Sequence, residues 1–269
     1  MTKKLMNLSS KVDRKMISGF PRRWDSSKET FDMKHEYDLN IRKMIKPMKV
    51  ALQHPGKALP FIAQVVRHGS GPSLKYTYKK MLETKTGGEL AYKNEEISEY
   101  LPFLSERPEG SVGRESYNYF GHHQENVQKV SRRKKTNDEW IEAKHPYSWM
   151  ARRYRDTHDI WHILSGYPTS TEGEMCMVMF SYAQTRSLAW LVISLSAMFA
   201  IINHLKKPSE YFTVIRMAYE AYQNGKRAKF LLAENYDELL SENLDSARER
   251  LNIRLPKAFV NRSPNFLKL

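Results

Sequence analysis

At 269 residues the chain can bury one sizeable core, and its 41% hydrophobic and 12% aromatic content exclude a wholly disordered protein. A formal net charge of +14 makes the surface strongly basic, which points to nucleic acid or anionic lipid headgroups without choosing between them. The single cysteine, Cys176, excludes an internal disulfide framework and fits a reducing compartment; within an apolar run it reads as a small core residue.

Residues 1–38 have no sustained periodicity and are broken by Gly19, Pro21 and Asp25 to Ser27, so a basic, partly flexible arm is predicted. Lys3, Lys4, Lys11, Arg14, Lys15, Arg22 and Arg23 face one acid there, Asp13, with no apolar stretch of a secretory signal. That resembles an organellar presequence, but lysine outnumbers arginine, and a solvated basic tail is the better-supported reading.

Helical periodicity begins at Leu39. Ile41, Met44, Ile45, Met48 and Leu52 make one apolar face, kinked or split at Pro47 and ended by Pro55-Gly56. Helices follow at 57–68, with Leu59, Ile62, Ala63 and Val66 inward, and at 73–84, with Leu74, Tyr78 and Met81 or Leu82 inward, stopped by Gly87-Gly88. One or two short helices come next. Gly110-Ser111-Val112-Gly113 reads as a turn before a Tyr-rich helix rather than a phosphate loop. The basic run Lys129 to Lys135 lacks the interleaved aromatics of a single-strand groove.

Pro146 suits the first turn of a long helix to Leu164, with Gly166 as its stop. The next helix should start at Thr171 and run through an apolar body from Met175 to Ile202, broken by charge only at Arg186. Leu188 to Ile202 gives 15 residues without charge, short of the roughly 18–20 that span a bilayer, so a central buried helix is predicted. Pro208 opens a further helix, which Gly225 could interrupt. Short helical pieces at 237–240 and 244–253 precede a loose basic tail at 256–269. No strand pattern or repeat competes. The class is all-α, a single domain of about seven to nine helices over 39–255.

His158, Asp159 and His162 lie at roughly 0°, 100° and 40° around one helix. The two histidines have the i, i+4 spacing of helical metal sites, and Asp159 can complete the face. A short turn brings Glu174, in the first turn of the next helix, beside them. Two imidazoles and two carboxylates suit zinc, cobalt, iron or manganese. Two simpler readings stand beside this one. Thr171-x-x-Glu174 fits a capping box, and His158 and Asp159 could belong to a polar stripe with Arg152, Arg155 and Asp156. His122-His123 is a weaker second candidate, because adjacent residues point apart.

The order His158-Asp159-x-x-His162, eleven residues, then Glu174 resembles the signature of the coenzyme Q biosynthesis protein 4 family. Tyr154 to Thr157 before it, Gly166-Tyr167 and Gly173 within it, and Phe180-Ser181 and Ala183-Gln184 after it resemble the family too. So do Pro108 to Gly113, Leu244-Asp245 and Arg248 to Ile253, and the resemblance covers residues 40–255.

The resemblance implies a helical protein of ubiquinone biosynthesis, peripheral on a membrane and associated with other enzymes of the pathway, with a homodimer expected. It implies a lyase: metal-dependent decarboxylation at ring carbon 1 of a polyprenylated 4-hydroxybenzoate, with hydroxylation there in an oxidative version. His158, Asp159, His162 and Glu174 become the metal ligands and catalytic residues, zinc first among the metals. Met175, Met177, Val178 and Phe180 are available to line an apolar tunnel for the isoprenoid tail. The alternative is a non-catalytic lipid-binding scaffold for the pathway enzymes. No nucleic-acid motif supports that partner class. The cytoplasmic face of a bacterial inner membrane is the first expectation for location, and the matrix face of the mitochondrial inner membrane the alternative.

Overall fold

The computed structural model describes residues 37–54, 57–121, 139–143 and 145–262. All regular structure among them is helical, apart from an isolated bridge between Ser111 and Asn243. The arm over 1–36, the Pro55-Gly56 stop, the 129–135 basic run, His122-His123 and residues 263–269 lie outside the described residues.

The chain opens with α1 (Ile41–Gln53), α2 (Leu59–Gly69), α3 (Gly71–Leu82) and α4 (Lys85–Lys93). Two 3₁₀ turns lead to α5 (Val112–Gly121), a short α6 (Glu139–Glu142) and the long α7 (Pro146–Ser165). Then come α8 (Thr171–Thr185), α9 (Leu188–His204), α10 (Pro208–Arg227), α11 (Tyr236–Ser241), α12 (Leu244–Arg250) and α13 (Lys257–Arg262). Helix α8 is central, packed between α9 and α10, and α7 lies against α3 and α5. This follows from composition. Helix α8 carries no charge after Glu174, and Met175, Cys176, Met177 and Phe180 are all buried.

Several expectations change on contact with the fold. The predicted helix through 171–202 is two helices. Arg186 takes a left-handed conformation (φ 58°) that caps α8, and extended Ser187 starts α9. Helix α9 is also not a buried central rod. Only Ala189, Ile193, Ser194 and Ile201 are buried, and Leu195 and Phe199 are exposed.

The face predicted for α1 divides as well: Met44 and Met48 point inward, while Ile41, Ile45 and Leu52 are exposed, and Pro47 sits inside one continuous helix. On α2 Val65 is buried, and Ala63 is exposed. Gly87-Gly88 falls inside α4, whose start is set by the Thr84 side chain accepting from the Gly87 N–H. Gly225 stays helical, and α10 crosses α8 there so closely that a Cβ would meet the Phe180 carbonyl oxygen at 2.5 Å. The segment after Pro256 forms α13, which buries Ala258 and Phe259 and is capped by Glu220 accepting from the Lys257 and Ala258 N–H groups.

Helix α7 is fixed at its start by His145, whose Nδ1 accepts the Tyr147 N–H at 3.2 Å while its ring stacks on Tyr37. Burial, and after it the charge of Lys75, pushes the imidazole down to about 4. A lowered folded value means the unfolded chain takes up this proton first. The stabilisation is present at neutral pH and is lost as pH falls from 6.5 through about 4. We expect His145→Asn, which can cap but cannot titrate, to flatten the fall in melting temperature across that window. Parallel pH curves for the two proteins would refute this role of His145.

Candidate metal centre

Helix α7 ends where the site begins. Gly166 is left-handed (φ 74°), its N–H closes on the His162 carbonyl, and the chain reverses through Tyr167 and Pro168. Ser170 then caps α8, its hydroxyl accepting from the Gly173 N–H at 3.2 Å. The turn is tight enough that a Cβ on Gly173 would lie 2.0 Å from the Pro168 carbonyl oxygen. This corrects the capping-box reading: the cap is Ser170, not Thr171, and the Glu174 carboxylate is free to face α7.

There it meets both histidines. Glu174 Oε2 lies 3.4 Å from His158 Nε2, Glu174 Oε1 lies 3.4 Å from His162 Nε2, and the two Nε2 atoms are 3.2 Å apart. One ligand atom from each residue falls within 4.8 Å of the others. His162 is buried, with 1% of its side chain exposed, and Glu174 is 42% exposed, so the group has a closed side and an open one.

The tautomer of His162 follows from its surroundings. Its Nδ1 lies 2.8 Å from the Tyr167 carbonyl oxygen, which can only accept. Nδ1 therefore carries the hydrogen, and in the neutral ring Nε2 presents a lone pair to His158 and Glu174. Burial opposes ionisation of Glu174, but an imidazole of His158 or His162 protonated at Nε2 donates a hydrogen bond and lends positive charge to the carboxylate, and these outweigh burial and hold the carboxyl well below the usual range. An ionised carboxylate and a nitrogen lone pair aimed at one point repel unless a cation lies between them, and a proton or a divalent metal ion meets that need. The donor set therefore fits a metal, and the Tyr167 carbonyl supplies the outer contact that orients histidine ligands.

The other predicted residues fall differently. Asp159 is half-buried on α7 and lies outside the three-residue group. Met175, Met177, Val178 and Phe180 are core residues, each 5% exposed or less. The edge of Trp161 packs on Phe180, and Val178 joins Met44, Val65 and Ile193 in a second cluster. Tyr167 entered the sequence reading only as part of the resemblance; its role here runs through its backbone carbonyl, which side-chain identity does not signal. Sequence reasoning missed Trp190 on α9, whose indole lies at 20° to the His158 ring with centroids 6.5 Å apart.

The sequence model of the family described as Coenzyme Q (ubiquinone) biosynthesis protein Coq4 matches residues 44–257. A mitochondrial ubiquinone biosynthesis protein COQ4 from Podospora anserina is 25% identical over 77% of this chain and 66% of its own length. The mitochondrial COQ4 homologues of Rattus norvegicus and Homo sapiens are each 29% identical over 70% of this chain and 68% of theirs. The chain thus spans about two thirds of these relatives. The crystal structure of a chain described as a ubiquinone biosynthesis protein from Nostoc punctiforme superposes with a TM-score of 0.58 over 79% of this chain and 98% of that one. At 19% identity that likeness shows the fold.

The close approach at Gly173 gives a direct check. Gly173→Ala must move the Pro168 carbonyl or the start of α8, and an overpacking cost of about 1–3 kcal/mol is expected. Unchanged stability by denaturant titration would mean that the turn is looser than described.

Proposed function

The chain belongs to the Coq4 family of ubiquinone biosynthesis proteins, and we propose that it is the metal-dependent decarboxylase acting at ring carbon 1 of a polyprenylated 4-hydroxybenzoate. The observation that carries this reading is the convergence of His158 Nε2, His162 Nε2 and an ionised Glu174 on one point with an exposed side. Asp159 is the fourth donor of the proposal, from the position next to His158. A divalent metal, zinc first, held by these residues would supply Lewis acidity toward a substrate carboxylate or phenolate.

The chain's own residues do the rest. Glu174 and the histidines set the charge at the site, α7 and the core close its inner side, and Trp190 offers an aromatic wall beside His158. The ring-to-carboxyl bond breaks, carbon dioxide leaves, and the bonding pair stays on ring carbon 1. A proton takes up that pair in the simple version. In the oxidative version that pair bonds to dioxygen; one oxygen atom stays on ring carbon 1 as a hydroxyl group, and the other leaves as water with two electrons from an external reductant and protons from solvent.

The reading also places the protein at a membrane surface among other ubiquinone biosynthesis enzymes. The relatives' mitochondrial names favour the matrix face over the bacterial one. No helix among the described residues is long and apolar enough to cross a membrane. Instead, α9 packs on α8 and also meets α10, α2 and α1, and apolar side chains stay exposed at Phe199 (64%) on α9 and Phe212 (73%) on α10. Arg42, Lys43, Lys46 and Lys49 are exposed on α1, which carries no acid. Exposed aromatic and cationic side chains suit anionic headgroups, and these residues are better candidates for lipid contact than the packed residues Met175 to Phe180.

Two experiments test these parts separately. Glu174→Ala should stay folded and lose at least about a hundredfold of product formation from the prenylated hydroxybenzoate. A folded variant with wild-type turnover would remove the enzyme reading and leave the scaffold. Replacing Phe199 and Phe212 with Ser should weaken binding to anionic vesicles about tenfold or more, since burying each ring is worth about 1.5–3 kcal/mol. Unchanged vesicle binding would move the docking face elsewhere.

A further inference from the structure

The last turn of α7 carries His162 and ends in carbonyls that have no partner within the helix. Two of them are met from α12. Arg248 Nη2 donates to the Ile163 carbonyl at 2.9 Å and its Nε donates to the Leu164 carbonyl at 3.1 Å. The third nitrogen, Nη1, pairs with Asp245 at 3.1 Å, and the Arg248 side chain is only 18% exposed. The base of the arginine is itself fixed. Asn243 caps α12 through the Asp245 and Ser246 N–H groups, the Leu244 N–H reaches the Gly110 carbonyl, and Ala247 is fully buried. A cation at a helix C-terminus also opposes the negative end of the helix dipole. The two carbonyls that Arg248 holds immediately follow His162 in the chain, and Tyr167, whose carbonyl fixes the His162 ring, is three residues beyond the second.

We propose that Arg248 is a positioning residue for His162. Its guanidinium fork locks the end of α7 so that the Tyr167 carbonyl stays on Nδ1–H and Nε2 stays aimed at His158 and Glu174. A neutral side chain of similar bulk would fill the space but leave both carbonyls unmet, so the turn would shift and the ring would exchange tautomers. Lysine keeps the charge but cannot span two carbonyls as the planar fork does. The effect on metal affinity rests on the metal reading of the site; the effect on the His162 tautomer does not.

The test uses the full chain with Arg248→Met and Arg248→Lys in two measurements. Nitrogen NMR of the metal-free protein reads the His162 tautomer, and titration with cobalt(II) alone reads affinity and the visible ligand-field spectrum. Wild type should show Nδ1–H on His162. Arg248→Met should show mixed tautomers, cobalt(II) binding weakened about ten- to a hundredfold and an altered spectrum, with Arg248→Lys in between. A folded Arg248→Met protein with the wild-type tautomer, affinity and spectrum overturns the proposal. If that variant does not fold, Arg248→Lys decides: wild-type values in both measurements overturn the proposal, and a mixed tautomer supports it. Failure of the wild type to bind cobalt(II) would remove the metal reading, and the tautomer would still decide the role of Arg248.

Discussion

One hydrogen bond organises the site: the His162 Nδ1–H donated to the Tyr167 carbonyl at 2.8 Å. It links the last turn of α7 to the reversal that follows, and it decides which ring nitrogen faces outward. Gly166, in a left-handed conformation, turns the chain back so that the Tyr167 carbonyl reaches the ring, and Gly173 lets α8 start against Pro168. Those two glycines set the angle at which α8 leaves, and that angle puts Glu174 opposite His158 and His162. The ring itself is buried, so water cannot compete for the carbonyl.

The electrostatics follow from this geometry. Three Lewis-basic groups are brought together against an apolar core, and the low local dielectric strengthens both their mutual repulsion and their attraction for a cation. Glu174 supplies the opening, because it is the most exposed of the three. Trp190 ties the site to the rest of the molecule: it borders His158 and packs against both hydrophobic clusters. The site therefore sits at the joint between the main core and the smaller cluster built from α1, α2, α8 and α9.

Much of this was legible in the sequence, and the exceptions share a cause. Pro146 and Gly166 bounded α7 correctly because their constraints are local: a fixed φ and a positive φ. The i, i+4 histidines were legible because helix geometry alone puts them on one face. The break at Arg186 was not, because arginine rarely adopts a left-handed conformation and only the packing of α8 and α9 requires it there. The exposure of α9 and the divided face of α1 also escaped: apolar periodicity shows that a face exists but not what covers it. The Arg248 and Tyr167 contacts involve backbone carbonyls, which residue identity does not encode.

The central claim is that His158, His162 and Glu174 form one metal site. It is tested most directly by elemental analysis of the full-length protein after reconstitution with zinc and removal of excess ion. The account predicts one tightly held zinc per chain, lost when His158 and His162 are both replaced by alanine in a protein that remains folded. A wild-type protein that retains no zinc, or a double variant that retains as much as the wild type, would contradict it.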